Sequence, residues 1–121
     1  MNDASHALRA YLEDKRPWGG FVRFTDNQSS TVKKIWVEPD QRISLQSHKN
    51  RDEFWLIIDG SGTVRIGDEE MPAVKNDSFF IPRGTKHRMT GGSGGVEWIE
   101  IALGIFDEND ITRYEDDYDR A

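Results

Sequence analysis

Apolar and polar residues alternate over short runs through most of the chain, which is the pattern of half-buried β-strands. Turn-forming Gly, Pro, Asn and Asp residues separate most of these runs. Strands are predicted at residues 21–25, 31–37, 43–48, 53–59, 62–66, 71–74, 78–81, 87–90 and 96–103. Many short strands at this spacing predict an all-β protein built as an antiparallel sandwich or barrel.

The N-terminal residues show a different spacing. Ala7, Leu8 and Tyr11 lie at helical intervals after Asp3, a residue type that caps helices, so the sequence predicts a helix over Ala4–Glu13. A Pro and two Gly residues follow and end any helix. We therefore predict a helical extension over residues 1–14 and one β domain over residues 15–121.

Two further segments carry local predictions. The glycine-rich run 91–95 is expected to form a flexible hairpin loop, because too little chain follows it for a second domain. The run 54–58 is apolar on both strand faces. It predicts a strand covered by the barrel interior on one side and by a second sheet or subunit on the other.

Composition restricts the classes of function. The net charge of −6 argues against broad nucleic-acid binding, and the acidic runs 107–110 and 115–117 predict a solvated surface. No apolar run is long enough to cross a membrane, and the first residues lack the basic-then-apolar pattern of a secretion signal, so a soluble, cytoplasmic protein is expected. Because Cys is absent, a metal site must use nitrogen and oxygen ligands.

Four residues are predicted to converge on such a metal. Strand alternation places Gln46 and His48 on one face, and the polar turn 49–52 folds the chain back so that Glu53 lies opposite them. His87 begins a later strand after a Pro-x-Gly turn. Two imidazoles, a carboxylate and an amide oxygen suit one divalent ion, with zinc first and manganese, cobalt, nickel or iron(II) as alternatives.

The spacing of these residues resembles the two motifs of the cupin barrels. Gln46-Ser47-His48, four residues and Glu53 resemble the first motif, and the stretch from Asn76 to His87 resembles the second. The resemblance implies a single-domain cupin, a double-stranded β-helix or jelly-roll barrel. It also implies a homodimer, because cupins often pair through exposed strands.

Finer matches resemble the type-2 mannose-6-phosphate isomerase family, often found as the C-terminal half of bifunctional mannose-1-phosphate guanylyltransferases. Residues 15–19 resemble its opening Arg-Pro-Trp-Gly, and residues 43–48 its Leu-Ser-Leu-Gln-x-His. Residues 51–55 resemble Arg-x-Glu-His-Trp, and residues 110–118 its closing Asp-Ile-x-Arg-Phe-Glu-Asp-x-Tyr. The match covers nearly all of residues 15–120. It implies metal-dependent interconversion of mannose 6-phosphate and fructose 6-phosphate.

That reaction moves a proton between C1 and C2 through an enediol, so it needs a base and cations for the substrate phosphate. Candidates for the catalytic group are Glu97, Glu100 and Arg51. Candidates for binding the small-molecule sugar phosphate are Lys33, Arg51, Lys86 and Trp55. Arg51 lies between two metal ligands, and Trp55 shares the strand face of Glu53.

Other functions stay open because the chain departs from the family. Lys49, Asn50 and Phe54 stand where the family usually has His. The main alternative is a non-catalytic or differently specific metal-binding cupin that binds a phosphorylated or nucleotide-linked sugar. A metal-dependent oxygenase is disfavoured because Gln46 fills a fourth ligand position. A metal-free epimerase-like cupin is disfavoured by the intact ligand set.

Overall fold

The computed structural model describes residues 2–120, and its regular structure is nearly all β. The strands are β1 Leu12–Arg16, β2 Gly19–Arg23, β3 Ser30–Val37, β4 Leu45–Ser47, β5 Arg51–Ile66, β6 Glu69–Val74, β7 Ser78–Ile81, β8 His87–Gly104 and β9 Thr112–Glu115. Within the described residues, no helix has the length and apolar character needed to pass through a membrane. The predicted all-β fold is confirmed.

All strands except β1 and β2, which pair only with each other, belong to one antiparallel sheet that folds into two layers. The long strands β5 and β8 pair from Arg51↔Gly104 to Ile66↔His87 and run through both layers. In one layer the strand order is β3-β8-β5-β7, and in the other it is β6-β5-β8-β4-β9. Buried side chains from both layers, among them Trp55, Trp98 and Met89, pack between them as the core.

The corners of the barrel are made by glycines within β5 and β8. The register shifts between Ile57 and Asp59 and again between Gly60 and Gly62, opposite the glycine-rich run 91–95. Gly95 has φ +77°, and a Cβ there would lie 2.8 Å from the Val37 carbonyl oxygen. The prediction of a flexible hairpin loop at 91–95 is therefore wrong, because these glycines allow close backbone approach at a bend inside a strand.

The predicted N-terminal helix is also wrong, since the structure has a single 3-10 turn, Ser5–Ala7, and β1 runs across residue 14. Leu8 leaves helical geometry and is buried in a second apolar cluster with Phe54, Ile101 and Leu103. Tertiary burial outweighs the weak helical propensity of this segment.

The second cluster also explains the strand that is apolar on both faces. Phe54 lies fully buried on the outer face of β5, and Leu8, Tyr11 and Phe24 pack over it. The expected cover by a second sheet or subunit is corrected, because the chain's own N-terminal segment covers this face.

Candidate metal centre

His48, Glu53 and His87 meet at one end of the barrel, each almost fully buried. The Nε2 atom of His48 lies 3.4 Å from Glu53 Oε2, and that of His87 lies 3.6 Å from Glu53 Oε1. One possible ligand atom from each residue lies within 4.8 Å of the others. Three of the four predicted ligands thus come together with their donor atoms converging.

The hydrogen bonds of the two imidazoles set their tautomers. His48 Nδ1 lies 2.7 Å from the Asp110 carbonyl oxygen, and His87 Nδ1 lies 2.9 Å from the Thr85 carbonyl oxygen. A carbonyl oxygen only accepts, so Nδ1 is the donor in each ring, and in the neutral ring Nε2 carries the lone pair on the side of Glu53. Backbone carbonyls orient metal-binding imidazoles in this way, and the three residues therefore fit a divalent ion.

Gln46, the fourth predicted ligand, lies next to the cluster by register. It is the Cα partner of His87, so the two side chains share one face of the sheet. Its amide nitrogen donates to Ser44 Oγ at 3.0 Å. The amide oxygen is left available, and its role as a ligand stays a prediction.

Arg51 reaches the same donor atoms that a metal would use. Its Nε donates to Glu53 Oε2 at 3.0 Å, and its Nη2 lies 3.3 Å from the acceptor His48 Nε2. Burial raises the pKa of Glu53, but His87, His48 and Arg51 together outweigh burial and leave this pKa below its usual value. Burial lowers the pKa of His87, which favours the neutral ring that ligation requires.

Glu100 and Trp55 complete the interior surface beside the cluster. They are Cα partners on β8 and β5 and point to the barrel interior. Trp55 Nε1 donates to Glu53 Oε1 at 3.1 Å, and its ring stands edge-on to His87. Burial, followed by the charge of Glu53, raises the pKa of Glu100 to about 8.

Other predicted site residues lie further out. Glu97 is on the outer face of β8, where it pairs with Lys34 at 2.9 Å, and the structure does not bring it to the cluster. Lys33 is the Cα partner of Glu100, but its ammonium pairs with Glu108 at 2.6 Å. Lys86 is exposed and lies 4.3 Å above the Tyr114 ring.

The positions that depart from the family are not equivalent in space. Phe54 points away from the cluster into the outer apolar layer, so an imidazole at this position would not face the metal. Lys49 and Asn50 form the turn between β4 and β5, where both backbone N–H groups donate to the Asp110 carboxylate. The substitution at Phe54 therefore leaves the metal-binding face unchanged.

Residues 106–110, which we call the C-terminal strap, cover the mouth of the barrel. Phe106 lies beneath the cations of Lys33 and Arg51, at 4.4 and 4.6 Å. Asp110 binds His48 through its carbonyl and the β4–β5 turn through its carboxylate. The sequence predicted only a solvated acidic surface here, and the apolar pair Ile105-Phe106 ahead of the acidic run was the one signal of another role.

A likeness to a solved structure supports the cupin fold. A cupin protein from Bacteroides fragilis superimposes with a TM-score of 0.58 at 19% identity, covering 62% of this chain and 65% of that one. At this identity the likeness shows the fold alone. The predicted cupin architecture is confirmed.

Sequence comparisons identify the family. Xanthan biosynthesis protein XanB from Xanthomonas campestris is 39% identical over 88% of this chain and 23% of its own length. Mannose-1-phosphate guanylyltransferase ManC from Salmonella typhimurium is 32% identical over 98% of this chain and 25% of its own length. The chain thus spans about a quarter of these relatives. Residues 3–116 match the model described as mannose-6-phosphate isomerase C-terminal, and the chain belongs to that family.

Proposed function

We propose that this protein is a metal-dependent isomerase that interconverts mannose 6-phosphate and fructose 6-phosphate. The observation that carries the proposal is the buried cluster of His48, Glu53 and His87, with the Nε2 atoms of both imidazoles turned towards the carboxylate. The chain belongs to the family described as mannose-6-phosphate isomerase C-terminal, which supports the choice of substrate.

The proposed cofactor is one divalent ion, with zinc as the first choice. His48, Glu53 and His87 would hold it, and the amide oxygen of Gln46 would complete the set. When bound, such an ion supplies positive charge that stabilises the negative charge of an enediolate. Burial of these side chains keeps bulk water away, which strengthens that electrostatic effect.

Glu100 is our candidate for the proton carrier. In the aldose-to-ketose direction a proton leaves C2 and returns to C1, while a hydroxyl hydrogen passes from the C2 oxygen to the C1 oxygen. Glu100 points to the interior beside Glu53, whereas Glu97 is on the outer face of the same strand. Alternation along β8 therefore favours Glu100 of the two carboxylates.

A binding protein without turnover is the second candidate. The observation that favours it is Arg51, whose guanidinium already contacts Glu53 Oε2 and His48 Nε2. The strap also lies over the mouth of the site. A sugar phosphate would then bind without completing proton transfer.

One experiment separates these candidates. Purified protein is loaded with zinc, manganese, cobalt or nickel, its metal content is determined, and conversion of mannose 6-phosphate is followed by a coupled assay. We expect about one ion per chain and turnover with at least one metal. Turnover that is absent with every metal, together with thermal stabilisation by the sugar phosphate, would favour the binding protein.

The three histidines provide matched variants for this experiment. His48→Ala and His87→Ala should lose the metal, because each removes a buried ligand. His6→Ala is the control, since His6 is exposed at the N-terminus. Equal metal content in all three variants would contradict the proposed site.

We also propose that the protein forms a homodimer and works in the cytoplasm. Large apolar side chains are exposed on the β1–β2 hairpin and on the outer face of β3, namely Leu12, Trp18, Phe21, Val22, Val32 and Trp36. Apolar surface of this kind supports self-association. Light scattering coupled to gel filtration tests the dimer, and a monomer at micromolar concentration would contradict it.

A further inference from the structure

Arg113 on β9 is brought to the metal-binding face by strand pairing. Gln46 on β4 is the Cα partner of His87 on one side and of Arg113 on the other. Cα partners in antiparallel strands direct their side chains to the same face, so Arg113 shares the face of Gln46 and His87.

The register of the β4–β9 pairing shifts at Tyr114, the residue after Arg113, which has no Cα partner on β4. Its hydroxyl lies 2.8 Å from Ser47 Oγ, and the Lys86 ammonium lies over its ring. Ser47 and Lys86 are the chain neighbours of Gln46 and His87, so these two contacts hold β9 beside the metal-binding residues. Arg113 is therefore at the mouth of the barrel, beside the cluster.

The guanidinium of Arg113 has a buried N–H donor without a hydrogen-bond acceptor. Its Nε is buried and has no hydrogen-bond partner. The ion pairs found within residues 2–120 do not include Arg113. Buried donors are nearly always paired in folded proteins, so this Nε is open to an acceptor supplied by a ligand.

The other cations near the mouth are already engaged. Arg51 donates to Glu53, and Lys33 pairs with Glu108. Arg88 lies on the opposite face to His87, where it binds the Ile43 carbonyl and Glu115. Arg113 is thus the guanidinium at this end whose charge no described carboxylate offsets.

We propose that Arg113 is the receptor for the phosphate group of the ligand. A guanidinium presents a rigid fork of donors that matches two phosphate oxygens, which an ammonium group cannot do. The identity of the ligand as a sugar phosphate rests on the proposed function, whereas the anion site itself rests on the position of Arg113. The sequence suggested three cations for binding the sugar phosphate. Lys33 and Arg51 would have to give up carboxylate partners to do so, and the Lys86 ammonium lies over the Tyr114 ring.

The test uses zinc-loaded protein and three probes: inorganic phosphate, mannose 6-phosphate and mannose. Affinities are measured by calorimetry and by thermal shift. We expect phosphate to bind wild-type protein and to compete with mannose 6-phosphate. Arg113→Gln should weaken both by about 10- to 100-fold, the range for a charge-assisted hydrogen bond, without changing the zinc content. Arg113→Lys should give an intermediate loss, and the exposed Arg9→Gln is the control, with no loss.

The outcomes separate this inference from the isomerase proposal. Unchanged phosphate affinity in zinc-loaded Arg113→Gln overturns the inference, whatever the activity. Phosphate binding that depends on Arg113, in a protein that never converts mannose 6-phosphate, supports the anion site and contradicts the isomerase. Should Arg113→Gln fail to fold, Arg113→Lys decides: wild-type affinity overturns the bidentate site, and a several-fold loss supports it.

Discussion

Replacing Phe54 with Ala tests the separation between the outer apolar layer and the metal-binding face of β5. Phe54 is fully buried, and its ring centroid lies 5.5 Å from that of Phe24. A buried Phe removes roughly 150–200 Å² from water, which at ~25 cal/mol per Å² corresponds to about 4–5 kcal/mol. Phe→Ala substitutions in protein cores lower the unfolding free energy by about 3–5 kcal/mol, so the estimate from buried area and the range for such substitutions agree.

The variant should stay folded and keep its metal. A chain of 121 residues has an unfolding free energy of about 6–18 kcal/mol, which exceeds the expected loss. Because Phe54 points away from His48, Glu53 and His87, the metal content should equal that of wild-type protein. Phe54→His, which introduces the residue usual in the family, should likewise give no gain in zinc affinity.

Urea unfolding followed by Trp fluorescence measures the loss, and elemental analysis measures the metal. Trp18→Ala is the matched control, because Trp18 is 76% exposed and its removal should cost less than about 0.5 kcal/mol. A loss below about 1 kcal/mol for Phe54→Ala would refute the assignment of this residue to the core. A folded Phe54→Ala protein without metal would refute the separation of the two faces.

Three further variants test the site and the barrel corner. Arg51→Met should lower the unfolding free energy of metal-free protein by about 3–5 kcal/mol, because it leaves the buried Glu53 carboxylate uncompensated. Zinc should then raise the urea midpoint of this variant more than that of wild-type protein. An equal rise would contradict the view that Arg51 and the metal use the same atoms of Glu53 and His48. The pKa of Glu100 is raised from 4.5 to about 8, so its contribution to stability is full below pH 4.5 and is lost as the pH rises through 8. Metal-free Glu100→Gln should therefore lose less stability than wild-type protein between pH 5 and pH 8, and parallel pH profiles would contradict this. Gly95→Ala should lose at least about 2 kcal/mol of unfolding free energy, because residue 95 has a φ of +77° and its Cβ would meet the Val37 carbonyl oxygen. Gly94→Ala is the control and should lose little, since there is open space around its Cβ. Similar unfolding midpoints for the two variants would exclude a strained corner.

Strand alternation predicted much of the site because its period is local. It placed Gln46 and His48 on one face, and it also separates Glu97 from Glu100, since residues three apart lie on opposite faces. Alternation cannot say which of the two faces is the interior. The interior face of β8 is the one that carries Trp98, and only the closed barrel shows that Trp98 is buried between the layers.

Features that depend on distant partners were missed. β1, with the sequence Leu-Glu-Asp-Lys-Arg, has no apolar alternation because it pairs only with β2 outside the barrel. Glycines give the same local signal at a turn and at a corner, and the contact between Gly60 and Gly95 distinguishes the two. The strap and Arg113 acquire their roles from contacts with strands more than 50 residues away, which composition does not reveal.

The bend in the β5–β8 ladder has a consequence for the order of folding. Glu53 lies near one end of this ladder and His87 at the other, yet their side chains are 3.6 Å apart because the glycine corners turn the ladder back on itself. While β5 and β8 are only partly paired, the site is therefore incomplete. A metal ion would find all of its ligands only after the barrel has closed. A bound ion would therefore slow the opening of the native barrel and leave the rate at which β5 and β8 pair almost unchanged.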